Sequence, residues 1–399
     1  MFYEFLNMKT LKDIDVVGKR VLVRVDFNVS LDSQGKVIDD FRIRATLPTI
    51  QHLISQNCKV ILLAHLGRPI EENKKLHVEM SHFSLKPVAE KLSELTQKEI
   101  KLASDCVGQA VKEEIAQLQP GDVLMLENLR FHEEEEANEE NFAKELAALG
   151  EVYINDAFAV SHRAHASVTA ITKFLPSGAG FLLEKEVENL TRVRENPDHP
   201  LTVVIGGAKM STKVKLIESF LNKADHIILG GALANTVLHA KGIAVGKSII
   251  EEAMIPQIKK FEITNTKIHL PVDALVCSDK ENLATCHPGP IGFTQPDEVI
   301  YDIGFDTEKI FSDVIKSSKM VVWNGPMGLF ETETFAHGTT ALARAINESV
   351  AYSIVGGGET VAFLEKRGLI DDFSFVSTGG GALLEFLSGE ELPGLKALA

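Results

Sequence analysis

Basic side chains follow three apolar runs in the first half of the chain, and together they could bind an anion. They are His65, Arg68, Arg130, His162, Arg163 and His165. Arg42 is a further candidate, while Asp26 and Asn28 follow a fourth run and could accept hydrogen bonds from substrate hydroxyls. Guanidinium groups form paired hydrogen bonds with carboxylate and phosphate oxygens. Their convergence would therefore suit a small, phosphorylated and hydroxylated acid.

Each of these residues also has a simpler explanation when it is taken alone. A single arginine at the end of a strand is more often a surface ion-pair partner than a ligand. His162 and His165 have an HxxH spacing that could bind zinc, but no further ligands cluster near them in the sequence. The anion site is favoured because polar or basic residues follow all four runs.

Glycine-rich turns follow five apolar runs in the second half. They are GGAKMSTK at 206–213, GGA at 230–232, NGPMGLFE at 324–331, GGGET at 356–360 and STGGG at 377–381. Glycines between a strand and a helix let backbone amides approach phosphate, and the helix N-terminus adds a favourable potential. No segment fits GxxxxGK[ST], and no GxGxxG with a following acidic residue indicates a dinucleotide. Five such turns indicate a nucleotide.

Two lysines in the first of these turns are candidates to contact phosphates. Lys209 and Lys213 are four residues apart at a predicted helix start, which would place both ammonium groups on one face. Such a pair is also common on solvated helix surfaces. Lysine is electrostatically unfavourable at a helix N-terminus unless an anion is present, so the pair supports a phosphate site.

The elements that must position these residues alternate between short apolar runs and helical patterns. The runs cover 21–25, 60–63, 123–126 and 152–154, then 202–205, 227–229, 320–323, 353–355 and 374–376. This alternation predicts βαβ units and parallel sheets covered by helices. Ligands bind beyond the carboxyl ends of such strands, where the candidate residues lie. Residues 267–305 are less regular and are predicted to hold shorter strands.

Length and composition indicate two domains in a globular protein. A chain of 399 residues is too long for one ordinary core. Apolar residues at 183, 187, 190 and 193 mark a helix over about 184–195, which ends at NPDHP and is predicted to connect the domains. A crossover helix within one large sheet remains the alternative.

Charge and cysteine usage restrict the class of partner and the compartment. The net charge of −15 argues against nucleic acid and anionic membranes. Four cysteines without a CxxC pair predict reduced thiols in the cytoplasm. The start has no signal-peptide pattern, and Met8 is a possible internal start that would make residues 1–7 an extension.

The glutamate run at 133–136 is interpreted as a solvated loop and helix start, with metal binding as the alternative.

The motifs taken together resemble those of phosphoglycerate kinases. The motifs that occur in the family's order are RVDFN at 24–28, HLGRP at 65–69, LENLRF at 126–131, NDAF and HRAH within 155–165, GGAKMSTK at 206–213, NGPMGLFE at 324–331 and GGGET at 356–360. The resemblance implies an α/β fold of two Rossmann-like domains, each a parallel sheet flanked by helices. It implies a phosphoglycerate-binding domain (1–183), an interdomain helix and hinge (184–200), a nucleotide-binding domain (201–386) and a segment returning to the first domain (387–399).

The resemblance also implies reversible in-line phosphoryl transfer from 1,3-bisphosphoglycerate to ADP, with Mg²⁺ bound and with closure of the hinge. It implies that the enzyme is a monomer and that it acts in glycolysis and gluconeogenesis. The implied substrate-binding residues are Asp26, Phe27, Asn28, Arg42, His65, Leu66, Gly67, Arg68, Arg130 and Arg163. The implied nucleotide-binding residues are Gly206, Lys213, Gly230, Asn324, Glu331, Gly357, Gly358, Glu359 and Thr360. The implied catalytic residues are Arg42, Lys209 and Lys213, and Glu359 is the implied magnesium ligand.

The sequence departs from the family pattern in three places. Ser30 stands where proline is usual, Ala-Val-Ser at 159–161 replaces Gly-Thr-Ala, and Glu359 replaces the usual aspartate. Glutamate keeps the carboxylate but is one methylene longer, so we expect metal binding with adjusted geometry. Two other functions remain open: another kinase that acts on a small acid, and a binding protein of the same fold without activity.

Overall fold

The computed structural model describes residues 8–260 and 265–399, which fold into two compact units. Of these described residues, 8–188 and 391–399 form the first unit, and 189–260 and 265–390 form the second. The possible extension at residues 1–7 lies outside the described residues.

The first unit contains a six-stranded parallel sheet flanked by helices. Its strands are β1 (Arg20–Arg24), β2 (Lys59–Leu63), β3 (Ile100–Leu102), β4 (Val123–Met125), β5 (Val152–Asn155) and β6 (Ser177–Ala179). Its helices are α1 (Phe41–Ser55), α2 (Pro69–Leu76), α3 (Lys86–Thr96), α4 (Gln109–Ala116), α5 (Glu133–Glu136), α6 (Glu140–Ala147) and the start of α7 (Phe181–Glu195). The strand order is β3-β4-β2-β1-β5-β6.

Burial on both faces explains the apolar composition of the central strands. In β1, Val21, Leu22 and Val23 have no exposed surface. On one face, Val21 and Val23 share a core cluster with Ile43 and Ile50 of α1. Ile43 and Ile50 are seven residues apart and so lie on one side of the helix. The sheet is therefore the rigid support for the loops at its carboxyl edge.

The second unit contains a parallel six-stranded sheet and a smaller antiparallel one. Its strands are β7 (Leu201–Ile205), β8 (His226–Leu229), β9 (Ile268–His269), β10 (Asp273–Cys277), β11 (Cys286–Pro290), β12 (Val299–Ile303), β13 (Met320–Asn324), β14 (Tyr352–Gly356) and β15 (Phe375–Ser377). Its helices are α8 (Val214–Phe220), α9 (Gly231–Ala240), α10 (Ile255–Ile258), α11 (Phe305–Lys316), α12 (His337–Asn347), α13 (Gly358–Lys366) and α14 (Gly381–Leu387). The sheet orders are β15-β14-β13-β7-β8-β9 and β11-β10-β12.

The predicted fold class is confirmed, and the alternative of one large sheet is wrong. The two six-stranded sheets are separate and parallel throughout. The irregular region 267–305 holds β9 and the three antiparallel strands β10, β11 and β12. No helix in the described part of the chain is long and apolar enough to cross a membrane.

The prediction of four reduced cysteines is wrong for one pair. Cys277 and Cys286 form a disulfide, while Cys58 and Cys106 are free and buried. The bonded pair lies directly opposite in the register of β10 and β11, which brings the two Cα atoms to 4.1 Å. The sequence concealed this pair because only the antiparallel pairing makes residues nine apart adjacent.

The prediction that the glutamate run at 133–136 is solvated is wrong for one of its residues. Glu135, in α5, has no exposed surface. Its carboxylate accepts hydrogen bonds from the Ser167 backbone N–H (2.9 Å) and hydroxyl (2.6 Å). A one-turn helix directs one of four successive side chains inwards, and the buried carboxylate is stabilised there by these donors.

The C-terminal residues 391–399 belong to the first unit, whereas residues 387–390 belong to the second. The final helix, α15 (Pro393–Lys396), is fixed by a 2.8 Å hydrogen bond from the Gly394 N–H to the Ser161 carbonyl. A Cβ atom at position 394 would lie 2.8 Å from a methyl carbon of Val168. Only glycine therefore allows this close approach to the segment that follows β5.

Candidate active site

Four arginines converge on one buried histidine at the carboxyl edge of the first sheet. Burial, and then the charges of Arg24, Arg130, Arg163 and Arg42, lower the pKa of His65 well below 6.5. The side chain of His65 is only 3% exposed, so its ring is neutral at physiological pH. Arg42, Arg130 and Arg163 of the predicted basic rim therefore belong to one cluster with a neutral imidazole at its centre.

Residues of three loops and of the first turn of α1 form a connected network in this cluster. The Arg42 Nη1 donates to the Asp26 Oδ2 at 2.7 Å and to the Asn28 carbonyl at 3.1 Å. The Gly67 N–H donates to the Asn28 Oδ1 at 2.8 Å, and the Gly67 carbonyl accepts from the Arg130 Nη1 at 2.7 Å. These contacts fix five of the predicted substrate residues relative to one another.

Arg130 has hydrogen-bonding capacity that the described residues do not use. Its Nη2 is buried and has no hydrogen-bond partner there. Its Nε lies 3.2 Å from a carboxylate oxygen of Glu136, outside good hydrogen-bond geometry. Burial lowers the pKa of Arg130 to about 10, and the charge of Glu136 partly opposes that shift. A buried guanidinium N–H without a partner is costly, and an anionic ligand would satisfy it.

Several predicted residues contribute to this region in a different way from that expected. The side chains of Phe27 and Leu66 are buried in the hydrophobic core, so only their backbones are available to a ligand. Arg68 is half-exposed and pairs with Glu71 at 3.1 Å. The Arg163 Nε donates to His162 at 3.2 Å.

The zinc alternative at the HxxH pair gains no support. Within residues 8–260 and 265–399, neither His162 nor His165 belongs to a cluster of three possible metal ligands. Burial, and then the nearby arginines, lower the pKa of His165 to about 3. Burial, and then the charge of Arg163, also lower the pKa of His162, so both rings are neutral components of a cationic region.

Arg24 is the main residue for which the sequence analysis predicted no role. It is 1% exposed, and its Nη2 lies 3.2 Å from the Nδ1 of His65. Its Nε donates to the Ser167 hydroxyl at 2.8 Å, and that hydroxyl donates to Glu135 at 2.6 Å. The available signal in the sequence was an arginine directly after the buried apolar residues 21–23.

The glycine-rich turns of the second unit pack directly against one another. The Gly206 N–H donates to the Asn324 carbonyl at 2.9 Å, and the Gly207 N–H donates to the Pro326 carbonyl at 2.7 Å. A Cβ atom at position 206 would lie 2.1 Å from the Pro326 carbonyl oxygen. Glycine is therefore required here for contact between the loops after β7 and β13, which are neighbouring strands.

The prediction that Lys209 and Lys213 share one face of a helix is wrong. The helix α8 begins only at Val214, so Lys213 is its N-cap and Lys209 lies in the preceding loop. The Lys213 Nζ donates to the Gly206 carbonyl, and burial lowers its pKa to about 8 although the charge of Glu359 raises it. Lys209 is exposed.

Three of the predicted nucleotide residues connect or pack the loops. The Asn324 side chain donates to the Gly356 carbonyl at 2.8 Å, and the Thr360 hydroxyl accepts from the Gly325 N–H at 2.9 Å. A Cβ atom at Gly230 would lie 2.3 Å from the sulfur of Met327. These residues hold the glycine turns in place.

A cleft lies beside the glycine turns and has an apolar wall from the small sheet. The wall comprises Ala274 of β10, Val299, Ile300, Tyr301 and Ile303 of β12, and the nearby Ile249, Pro271 and Ile291. Gly207, Gly231 and Gly328 line the same cleft. An apolar wall suits a flat base, and glycine amides suit phosphates. The sequence analysis missed this wall because apolar residues in short strands do not show which face borders a cavity.

Two carboxylates also line this cleft. Glu331 and Glu359 are exposed there, and Glu359 lies in the first turn of α13 beside Gly357 and Gly358. Carboxylate oxygens are hard ligands of the kind that Mg²⁺ prefers. The donor chemistry at Glu359 therefore fits the magnesium ion that accompanies a nucleotide.

An α/β fold with a cationic cluster in one unit and glycine-rich turns around a cleft in the other defines a kinase for a small anionic substrate. The family model for phosphoglycerate kinase matches residues 11–390. The chain belongs to the phosphoglycerate kinase family. It is a kinase that transfers a phosphoryl group to a carboxyl group, and it functions in glycolysis.

Curated relatives and solved structures agree with this assignment. The chain is 47% identical over 396 residues to a phosphoglycerate kinase of Desulfosudis oleivorans, with 98% of each chain covered. It is 46% identical to that of Aquifex aeolicus, with 97% of each covered. The structure of phosphoglycerate kinase from Coxiella burnetii matches with a TM-score of 0.83 at 40% identity, and that from Pyrococcus horikoshii with 0.86 at 34%. Each covers 98% of both chains.

Proposed function

We propose that the cationic cluster of the first unit binds 3-phosphoglycerate or 1,3-bisphosphoglycerate, and that the cleft of the second binds ADP or ATP with Mg²⁺. The observation that carries the proposal is the buried Nη2 of Arg130, which has no partner among the described residues. The functional domains would be residues 1–183 and 201–386, with 184–200 as the connecting helix and hinge.

The substrate's charge determines the roles of the first-unit residues. Arg130 and Arg163, with Arg68 from its exposed position, would bind the phosphate and carboxylate oxygens. Asp26 and Asn28 would accept hydrogen bonds from the hydroxyl of the glycerate. Arg42 supports this assignment because it donates to the Asp26 carboxylate and to the Asn28 carbonyl and so holds the two residues together.

The reaction requires positive charge and positioning, and it needs no general base. A carboxylate with a reference pKa near 4 is ionised at neutral pH, and the β-phosphate of ADP is already anionic. Phosphoryl transfer then depends on in-line geometry and on charge stabilisation. Lys209, Lys213 and Arg42 would supply that charge. Magnesium held at Glu359 would neutralise phosphate oxygens of the nucleotide when it is bound.

Lys213 would act only after a local rearrangement. Its ammonium group now donates to the Gly206 carbonyl and is about nine-tenths buried. A nucleotide phosphate is a stronger acceptor than a neutral carbonyl because it is charged. Nucleotide binding would therefore draw this ammonium from Gly206 towards the phosphates.

Placing the two substrates on separate units implies closure about the hinge. Closure would align donor and acceptor and exclude water, which would otherwise hydrolyse the acyl phosphate.

We also propose that the enzyme acts as a monomer in the cytoplasm. Light scattering coupled to gel filtration should give a single species near the chain mass of 43.7 kDa.

A coupled assay of ATP formation tests the proposed activity. The purified chain should phosphorylate ADP with 1,3-bisphosphoglycerate in the presence of Mg²⁺, and a chelator should abolish the reaction. Acetyl phosphate serves as the competing donor. A preference for acetyl phosphate would favour another small-acid kinase, and no turnover with either donor would favour a binding protein without activity.

A further inference from the structure

Three side chains that have no role in the phosphoryl transfer lie together at the edge of the first sheet. Asp105 and Cys106 lie in the loop between β3 and α4, and His132 directly precedes α5. One possible ligand atom from each lies within 4.8 Å of the other two. β3 and β4 are neighbouring strands, so the sheet brings together residues that are distant in the sequence.

We propose that Asp105, Cys106 and His132 bind one thiophilic divalent cation, for which zinc is the best chemical match. The three side chains offer a thiolate sulfur, an imidazole nitrogen and a carboxylate oxygen, which is a mixed set that zinc accepts. Magnesium and calcium prefer ligands that are all oxygen. The site is therefore distinct in chemistry from the magnesium site proposed for the nucleotide.

Each pair of ligand atoms would need to shift by no more than about 1.3 Å to surround a tetrahedral ion. Zinc bonds of about 2.0–2.3 Å place neighbouring ligand atoms about 3.2–3.6 Å apart. The Nε2 of His132 now lies 2.6 Å from the Oδ1 of Asp105. These two atoms would move apart by less than about 1 Å, and the thiol sulfur would complete the third position.

The neighbouring contacts hold these groups near that geometry. The His132 ring stacks on Phe142 with a centroid separation of 5.1 Å. The Cys106 sulfur donates to the Glu127 carbonyl at 2.9 Å. The side chain of Asp105 is 49% exposed, so a cation can enter from solvent and water can occupy a fourth position.

The charge around the thiol also favours a cation. Cys106 is fully buried, and the negative charges of Asp105, Glu135 and Glu127 act on its thiol, partly opposed by the positive charge of Arg24. Metal binding would compensate this negative potential and replace the thiol proton, which would be released to solvent. His132 would bind through the Nε2 lone pair and keep its proton on Nδ1.

Cys58 provides a matched control within the same unit. It is also free and fully buried, and its sulfur donates to the Val16 carbonyl at 3.0 Å. Burial raises its pKa to about 11. In the part of the chain that the structure describes, however, Cys58 belongs to no cluster of three possible ligands.

Titration of the untagged, chelator-treated chain with Co²⁺ tests the site. Reductant is omitted so that Cys277 and Cys286 remain bonded. We expect one Co²⁺ per chain, a near-ultraviolet band from thiolate-to-cobalt charge transfer, and loss of the band when Zn²⁺ is added. Zinc should also release about one proton per ion and raise the Tm by at least about 2 °C, because the ion would join two loops of the folded state.

The variants identify the ligands. Cys106→Ser should lose the band and Cys58→Ala should keep it. His132→Gln, at a partly exposed position that should tolerate the change, should weaken Zn²⁺ binding at least about tenfold. The proposal is overturned if the unmodified chain shows no band, if the band survives in Cys106→Ser, or if Zn²⁺ affinity is unchanged in His132→Gln. A ring nitrogen of His226 lies 3.0 Å from one of His269 on the neighbouring strands β8 and β9. Cobalt bound at that pair would give no thiolate band.

Discussion

The Nη2 of Arg24 lies 3.2 Å from the Nδ1 of His65, and both side chains are buried. A guanidinium group can only donate hydrogen bonds, so Nδ1 must be the acceptor. His65 is therefore neutral with its proton on Nε2. Arg24 would thus act as a positioning residue that turns a neutral N–H donor towards the proposed substrate site.

Substitution of His65 should affect substrate binding more than turnover. His65→Ala removes the Nε2–H donor and should raise the KM for 3-phosphoglycerate roughly tenfold, with kcat changed less than about threefold. His65→Gln should have a smaller effect because its terminal amide can place an N–H near the same position. Steady-state kinetics of the three enzymes decide this, and an unchanged KM in His65→Ala would show that the donor is unused.

The first unit should lose stability in mild acid because it holds buried neutral histidines. The pKa of His165 is lowered to about 3, and that of His65 also lies well below 6.5. Below about pH 6.5 the unfolded chain binds protons that the folded chain does not. The stabilising contribution, complete above that pH, is therefore lost as the pH falls, by at most about 1.4 kcal/mol per pH unit for each histidine.

Urea denaturation between about pH 5 and pH 7.5 measures this dependence. His165→Gln should reduce the slope by about one proton, whereas the exposed control His82→Gln should leave it unchanged. The buried carboxyls of Asp156 and Asp302 oppose the trend, because burial raises the pKa of each to about 7. The test is therefore the difference between variant and parent in the slope of the free energy of unfolding against pH. Equal slopes in His165→Gln and the parent would refute the prediction.

Lys209 should matter for the chemical step and little for binding. Lys209→Ala should leave both KM values nearly unchanged and lower kcat at least about a hundredfold, because it removes a charge that stabilises the transition state. Lys215→Ala is the control, since that lysine is exposed on α8 and pairs with Glu390 at 2.6 Å. Unchanged turnover in Lys209→Ala would exclude the assigned role.

Glu359 should control the magnesium requirement. Glu359→Gln keeps the size of the side chain but removes its charge, so half-maximal activity should need roughly ten times more Mg²⁺. Glu359→Asp keeps the charge and should stay within about threefold. Activity titrated with MgCl₂ at fixed ADP provides the measurement. The same magnesium dependence in all three enzymes would place the metal ligand elsewhere.

Two glycines of the second unit should respond differently to alanine. Gly206→Ala would place a Cβ atom 2.1 Å from a carbonyl oxygen, so it should lower the free energy of unfolding by about 1–3 kcal/mol and weaken ADP binding. At position 358 no atom lies within 4 Å of an added Cβ, so Gly358→Ala should be tolerated. Urea denaturation and ADP titration should separate the two variants. Similar behaviour would mean that the loops adjust freely.

The sequence by itself determined the parallel sheets and the positions of their loops. Strands buried on both faces are continuous apolar runs, and the observed β1, β2, β7 and β13 begin and end within one residue of the predicted ones. Ligand-binding loops follow the carboxyl ends of such strands, so His65, Arg130 and the glycine turns could be identified without coordinates.

Only the tertiary structure decided which of those side chains meet and which are already occupied. It placed Arg24 against His65, turned the Lys213 ammonium to the Gly206 carbonyl, and buried Glu135 beneath Ser167. It also brought His132 to Asp105 across neighbouring loops. The physical reason is that hydrogen bonds and burial join residues far apart in the chain. A local apolar pattern specifies the strand but not its neighbours.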